Sequence, residues 1–355
     1  MDITASPWTT AGFAVALVAA GALGASAPDQ PGVQTRAVRL VSGDVPWDQV
    51  LQTALANSTD IYDHFSPAAF ADLQQFAANV PAYLEGTRNF DTDLGLAYTA
   101  ATSVFLPSNP EPYIYSSVAP TPSNLTIETL LGNIPISLPG KDDLIGILTN
   151  GLPYSIGFCP LCLSGNIDVL SLLVGSDTAD AIKPYLEFSG SPLSGILWGS
   201  FGTTVGPLVQ LHDDITTISA ALSGAAPDYT TALNELLDVP ANFSNAFLNG
   251  YGQIGLGTLL EDFGATAPSG LDVNAIQLDL GGLLSPAGSL IDGIGFTQSI
   301  GDCDLLCVSL SVPSTEVGPL ASLFLQDQAI AEAINWDGVG QPLAALFSEL
   351  TGTFN

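Results

Sequence analysis

The chain has 355 residues, 47% of them hydrophobic and 11% charged, and its Lys+Arg total of 5 against Asp+Glu of 35 gives a formal net charge of −30. So much apolar material excludes a disordered chain. So much uncompensated negative charge excludes nucleic acid and the basic-patch mode of docking to anionic lipid, because both need Lys and Arg. The five cations are Arg36, Arg39, Arg88, Lys141 and Lys183, and no basic residue follows position 183.

In chain order, an apolar run from Ala11 to Leu23 is followed by Ala25-Ser26-Ala27 and then a polar, Pro-rich start. That order predicts an export signal over residues 1–27, with an uncleaved anchor or a buried helix as the competing reading. No Lys or Arg precedes the run, so only the α-amino group supplies positive charge there. Residues 28–118 read as an N-terminal helical region. It comprises "VPWDQVLQTALANSTDIYDHF" from Val45 and "SPAAFADLQQFAANVPAYLEG", the latter with Ser66 as N-cap and Pro67 in the first turn. The Pro-rich stretch from Pro107 to Asn124 marks the expected boundary with a main helical domain over residues 119–355.

Beyond that boundary, "TIETLLG", "DDLIGILTNG", "NIDVLSLLVGSDTADAIKPYLEF", "DDITTISAALSGA", "DYTTALNELLDVPANFSNAFLNGYG", "VGPLASLFLQDQAIAEAINW" and "QPLAALFSELTG" all carry helical spacing. Most begin with an acidic or hydroxyl residue, and several end in Gly. Strand signals are confined to "LCVSLSV" from Leu306 and "LDVNAIQLDL" from Leu271. The predicted fold class is therefore mainly α: an irregular multi-helix bundle with Gly/Pro-rich loops and at most a few short strands. The absence of a ladder of alternating segments argues against a transmembrane β-barrel. Val80-Pro81-Ala82 and Val239-Pro240-Ala241 echo each other as V-P-A breaks between amphipathic pieces, an echo that coincidence in an Ala-rich helical chain explains.

The stretch from Ser189 to Leu211, "SGSPLSGILWGSFGTTVGPLVQL", has no charge over a length that suits either a membrane span or a core helix. Its Gly, Ser, Thr and Pro content makes it a weak span on a transfer scale. Gly195-x-x-x-Gly199 and Gly202-x-x-x-Gly206 would permit close helix approach in a bilayer, and equally in a water-excluded core or a helix broken at Gly206-Pro207. Hydropathy is the stronger discriminator and favours the buried core helix.

Four cysteines fall in two pairs, Cys159 with Cys162 and Cys303 with Cys307. In an exported chain they predict two disulfides of undetermined connectivity, with a four-thiolate zinc site as the rival. A bridge between the pairs closes a long loop and is worth about 4–5 kcal/mol in the chain-entropy account.

Catalytic motifs are missing: the sequence has no G-x-S-x-G, no G-x-x-x-x-G-K-[ST] and no H-E-x-x-H. His64 and His212 are its only imidazoles. His212 beside Asp213 and Asp214 has the makings of a base oriented by carboxylate, although an acidic first helical turn explains the cluster equally well. "NFDTDLG" sets Asn89, Asp91 and Asp93 at alternate positions like a calcium loop, yet Leu94 and Ala100 stand where such a loop needs Gly and Glu. No catalytic residue, cofactor or metal is expected.

"VPANFSNAFLNGYG" from Val239, "LDLGGLLSPAGSLIDGIG" from Leu278, "GDCDLLC" from Gly301 and "VGPLASLF" from Val317 resemble a group of exported mycobacterial proteins. These are commonly labelled outer-membrane porins by similarity to a Gordonia porin, and their tails are similar to those of PE/PPE-type proteins. The resemblance covers about the last 130 residues and the export signal, and it implies a cell-envelope location and pore activity. With no long spans and no alternating strands, a channel would have to assemble from amphipathic helices of several copies, with Asp213 and Asp214 as candidate cation-selective pore-lining acids. The alternatives are a secreted helical protein that binds an apolar envelope lipid and an exported hydrolase. The expected partners are envelope lipid, membrane or further copies of the chain.

Overall fold

The structure, a computed structural model, describes residues 46–104, 123–129, 132–138, 152–156, 163–168, 176–223, 226–265, 273–302 and 306–344, with 145, 149 and 171 singly. The export signal, most of the Pro-rich stretch, and Cys159, Cys162 and Cys303 lie outside the described residues. Cys307 is described by its backbone alone.

The chain is mainly α. Helix α1 (Trp47–Phe65) is followed by a 3-10 turn at Ser66–Ala68, then α2 (Ala71–Glu85) and α3 (Phe90–Thr102). Helices α4 (Ser176–Ser189), α5 (Pro192–Leu222), α6 (Tyr229–Leu248), α7 (Leu256–Asp262) and α8 (Pro319–Ala333) follow, with a 3-10 turn at Val273–Ala275 and further helical residues at 145, 149, 171 and 342–344. The strands exceed the few that periodicity signalled. They are β1 (Ser123–Thr129), β2 (Gly132–Leu138), β3 (Leu152–Ile156), β4 (Leu163–Ile167), β5 (Gly252–Gly255), β6 (Ile276–Leu280), β7 (Ile294–Asp302) and β8 (Leu306–Val312). Six of them form one antiparallel sheet in the order β2-β1-β8-β7-β6-β5, while β3 and β4 pair apart.

"LCVSLSV" is β8 as expected, and β6 occupies the end of "LDVNAIQLDL". "TIETLLG" is not a helix. Its described residues 126–129 lie in β1 and Gly132 opens β2, because Leu125 and Ile127 alternate in the sequence of β1 and the strand finds a non-local partner in β8, with Ile127 opposite Val308. Contacts distant in sequence override the local pattern there.

The structure also moves the start of the second helix. Ser66 does not cap it; the chain makes the 3-10 turn, Phe70 takes a left-handed conformation at φ 56°, and α2 begins at Ala71. Its first N–H groups are satisfied from α8, where the Asp327 carboxylate accepts from Ala71 N at 2.9 Å and Asp72 N at 3.1 Å. Pro81 and Pro240 do not break their helices but lie inside α2 and α6. Both prolines are on exposed positions of their helices. Likewise α5 runs through Gly206-Pro207 without interruption.

The N-terminal helices do not stand apart from the rest. Ile61 and Phe65 of α1 share a cluster with Ala321 of α8, and the Phe65 and Phe324 rings stack at 5.2 Å. Ala68 and Ala71 pack with Ala331 and Trp336. Between α2, α3 and the end of α8 lies a polar network centred on Asp93, which is 2% exposed. Its Oδ2 accepts from Tyr83 Oη at 2.5 Å, from Asn79 Nδ2 at 3.3 Å and from Arg88 Nε. Asn79 Nδ2 also donates to the Ile334 carbonyl at 2.9 Å, and Gln75 Nε2 donates to Asn79 Oδ1 at 2.9 Å. Burial alone would raise Asp93, but the hydrogen bonds from Arg88 and Tyr83 outweigh it and hold the carboxyl below its ordinary range.

Asp327 behaves in the opposite way. Burial first, and the adjacent Asp72 carboxyl second, push it up from 3.8 to about 8. The native chain therefore keeps a proton that the unfolded chain releases. That contribution to stability is complete below about pH 4 and is lost as pH rises through about 8. Asp327→Asn keeps the side-chain volume and removes the titration. Between pH 5 and 8.5 the Tm of the native sequence is expected to fall more steeply than that of D327N; parallel profiles would count against the raised Asp327 carboxyl.

The largest core cluster joins Trp198 and Val209 of α5 to Ile276, Leu278 and Leu280 of β6, with Tyr251, Leu256, Leu259, Leu290, Ile294 and Val317 around them. Trp198 Nε1 donates to the Asp279 carbonyl at 3.2 Å. The long apolar helix is thus the element on which the sheet, the 281–293 segment and α8 converge.

Candidate functional site

The four glycines of the uncharged segment line the contacts that build this centre. A Cβ on Gly195 would overlap the Gly288 carbonyl, and one on Gly199 would overlap the backbone at Gly318 and Pro319. At Gly202 it would lie 2.7 Å from the Gly281 carbonyl oxygen, and at Gly206 3.1 Å from Tyr251 Cβ. Their missing side chains let the backbones of two other segments reach α5. Among the described residues, no helix is long and apolar enough to cross a membrane.

Nearly two turns beyond Gly206, α5 presents His212, Asp213 and Asp214. Asp214 is 1% exposed and turned toward α6, where its Oδ1 accepts from Gln210 Nε2 at 2.8 Å and Asn242 Nδ2 at 3.2 Å. Burial raises its pKa and the Asp213 charge adds to that, against the hydrogen bonds from Gln210 and Asn242. Asp213 Oδ2 accepts from Tyr251 Oη at 2.7 Å. His212 is half exposed, with Nε2 3.7 Å from Asp262 Oδ1. Burial raises Asp262 first, His212 lowers it, and Asp213 and Glu261 raise it further. The geometry therefore brings the three expected residues to one turn but gives them separate tasks: Asp214 ties α5 to α6, Asp213 anchors Tyr251, and His212 leans on α7.

The other sequence candidates also have structural posts. Asn89 caps α3 by accepting from Thr92 N at 3.1 Å, which places Asp91 and Asp93 in a helical first turn instead of a calcium loop. His64 lies 3.3 Å from Asp60 Oδ1 within α1. Among the described residues, no group of three or more His, Cys, Asp or Glu is arranged to hold a metal ion. Cys307 sits in β8 opposite Gly301 and Glu128.

What sequence reading missed is the outer apolar surface. Trp47, Leu51, Leu55 and Tyr62 are exposed on α1; Leu73, Val80 and Leu84 on α2; Phe90, Leu94 and Tyr98 on α3. On α6, Tyr229, Leu233, Leu236, Leu237, Phe243 and Phe247 are exposed, while Ala232, Ala241 and Ala246 are buried. The i, i+3, i+4 spacing that marks an amphipathic helix was legible, but it does not say which face turns outward. Here small residues pack inward on α6 and the large ones are left outside.

Among the described residues the two cations are engaged, Arg88 with Asp93 and Lys183 with Asp168 at 3.3 Å. The surface therefore combines large apolar side chains with uncompensated acids. No family model matches the chain, and neither a curated protein nor a solved structure matches it.

Proposed function

We propose that the chain is an exported, non-enzymatic cell-envelope protein that docks an apolar lipid partner through the outer faces of its amphipathic helices. The observation that carries this reading is the set of exposed apolar side chains at helical spacing on α1, α2, α3 and α6. An interfacial helix needs such a face and need not span the bilayer. The apolar run and small-residue pattern before residue 28 support the envelope location.

Extraction of the protein from its host envelope, followed by mass spectrometry of the organic extract, tests the proposal. Lipid is expected in near-stoichiometric amount; a clean extract from a protein that stays dispersed in water overturns it. The net charge of −30 favours a second reading, a channel assembled from several copies that passes cations. Anion-selective conductance in planar bilayers would contradict that reading.

A further inference from the structure

We infer that the corner between α1 and α2, residues 66–72, is a pH-operated clasp, held shut by the Asp327 carboxyl of α8 and released when that carboxyl and the adjacent Asp72 both carry charge. The chain turns there under strain. Phe70 is an aromatic residue in the left-handed region, at φ 56° and ψ 40°, and it is 62% exposed, so its ring gains little packing in return. No side chain of the corner caps α2. Its first two N–H groups close instead on Asp327, Ala71 N on Oδ2 at 2.9 Å and Asp72 N on Oδ1 at 3.1 Å. The side chains beneath are small, Ala68 and Ala71 against Ala331 and Trp336, so letting go uncovers little apolar area. Both flanks are fastened separately: α1 by the Phe65–Phe324 stack, and α2 by Asn79, which donates to the Ile334 carbonyl. Opening is therefore confined to the corner, a local event well below global unfolding.

The surroundings of Asp327 decide when it opens. Burial first, and Asp72 facing it from α2 second, disfavour its charged form, and they outweigh the two backbone N–H groups that favour it. The other neighbours of α8 do not offset this. Helix α5 brings no charged residue over 192–211, α1 sets His64 on Asp60, and α8 itself adds the acid Glu332 five residues on. The two described cations are bound elsewhere, Arg88 to Asp93 of α3 and Lys183 to Asp168. Opening returns Asp327 to water and to its ordinary range, so the open form releases to solvent a proton that the closed form keeps. The closed form is thus favoured at low pH, and its advantage falls by up to about tenfold per pH unit between about pH 4 and 8, then levels off.

Deuterium exchange of the full chain, followed by mass spectrometry between pH 5 and 8.5 and corrected for the intrinsic pH dependence of amide exchange, tests the clasp. Residues 66–74 are expected to lose at least tenfold in protection from pH 5 to 8, and to be at least tenfold less protected at pH 8 than residues 195–209 of α5. D327N is expected to keep its circular dichroism spectrum and to abolish the fall at 66–74. D72N, which removes only the neighbouring charge, is expected to reduce it. Protection at 66–74 that is independent of pH, or that falls equally in D327N, overturns the inference. Protection there equal to that of 195–209 at every pH means that the corner opens only when the whole chain unfolds, and overturns it too. Should D327N fail to fold, D72N decides: a reduced fall supports the clasp, and an undiminished one overturns it.

Discussion

Replacing Gly195 or Gly199 by Ala is expected to destabilise the chain by about 2–4 kcal/mol, whereas Gly206→Ala is expected to change stability by less than about 1 kcal/mol. All three positions lie inside α5, so each substitution gains the same helix propensity, roughly 1 kcal/mol over Gly. What differs is the neighbour. At Gly195 and Gly199 the new methyl meets backbone of the Gly288 and Gly318-Pro319 segments, which can retreat only by moving the loops that pack on α5. At Gly206 it meets Tyr251 Cβ at 3.1 Å, a contact that a shift of a few tenths of an ångström relieves. Urea unfolding of the three variants decides the matter. Equal losses at all three positions, or none at any, would mean that the glycines do not form this contact.

Asp93→Ala is expected to cost about 3 kcal/mol near neutral pH, because it leaves Arg88, Tyr83 and Asn79 facing a half-closed site without their acceptor. Asp93→Asn keeps one acceptor oxygen and is expected to cost less. The folded-state pKa of Asp93 is depressed below the unfolded value, so its contribution is present above about pH 4 and is lost as pH falls through the lower folded value. The difference in unfolding free energy between the native sequence and D93N is therefore expected to shrink on acidification below about pH 4. A difference independent of pH would remove the charge from the explanation and leave only packing.

The acid at position 93 shows how far the sequence could be read. Its alternation with Asn89 and Asp91 suggested a metal loop, and its actual partner Arg88 stands only five residues before it. The pairing follows from a helix start that turns Asp93 inward, and the Asn89 cap was the available signal for that turn. The Asp327 cap on α2 was beyond reach, because 256 residues separate it from Ala71. Helix spacing located α1, α6 and α8 closely, and the reading of the Ser189–Leu211 stretch as a core helix agrees with α5. The sheet was largely hidden. Strands β1 and β2 meet through a short connection that helix-like Leu and Glu residues obscure, β7 contains two glycines, and β1 is fixed by pairing with β8 from far along the chain. The outer apolar stripes were visible as amphipathic periodicity, but the sign of the face on α6 depended on which side carried the small residues Ala232, Ala241 and Ala246.

Helix α5 is the packed centre of the fold, its glycine face buried against the 281–288 segment and the start of α8. Amide hydrogen exchange of the full chain in detergent-free buffer tests this directly. Residues 195–209 are expected to be among the slowest to exchange, opening together with β6, because both belong to the same core cluster. Rapid exchange across 195–209 in water, with protection appearing only when detergent or lipid is added, would contradict it.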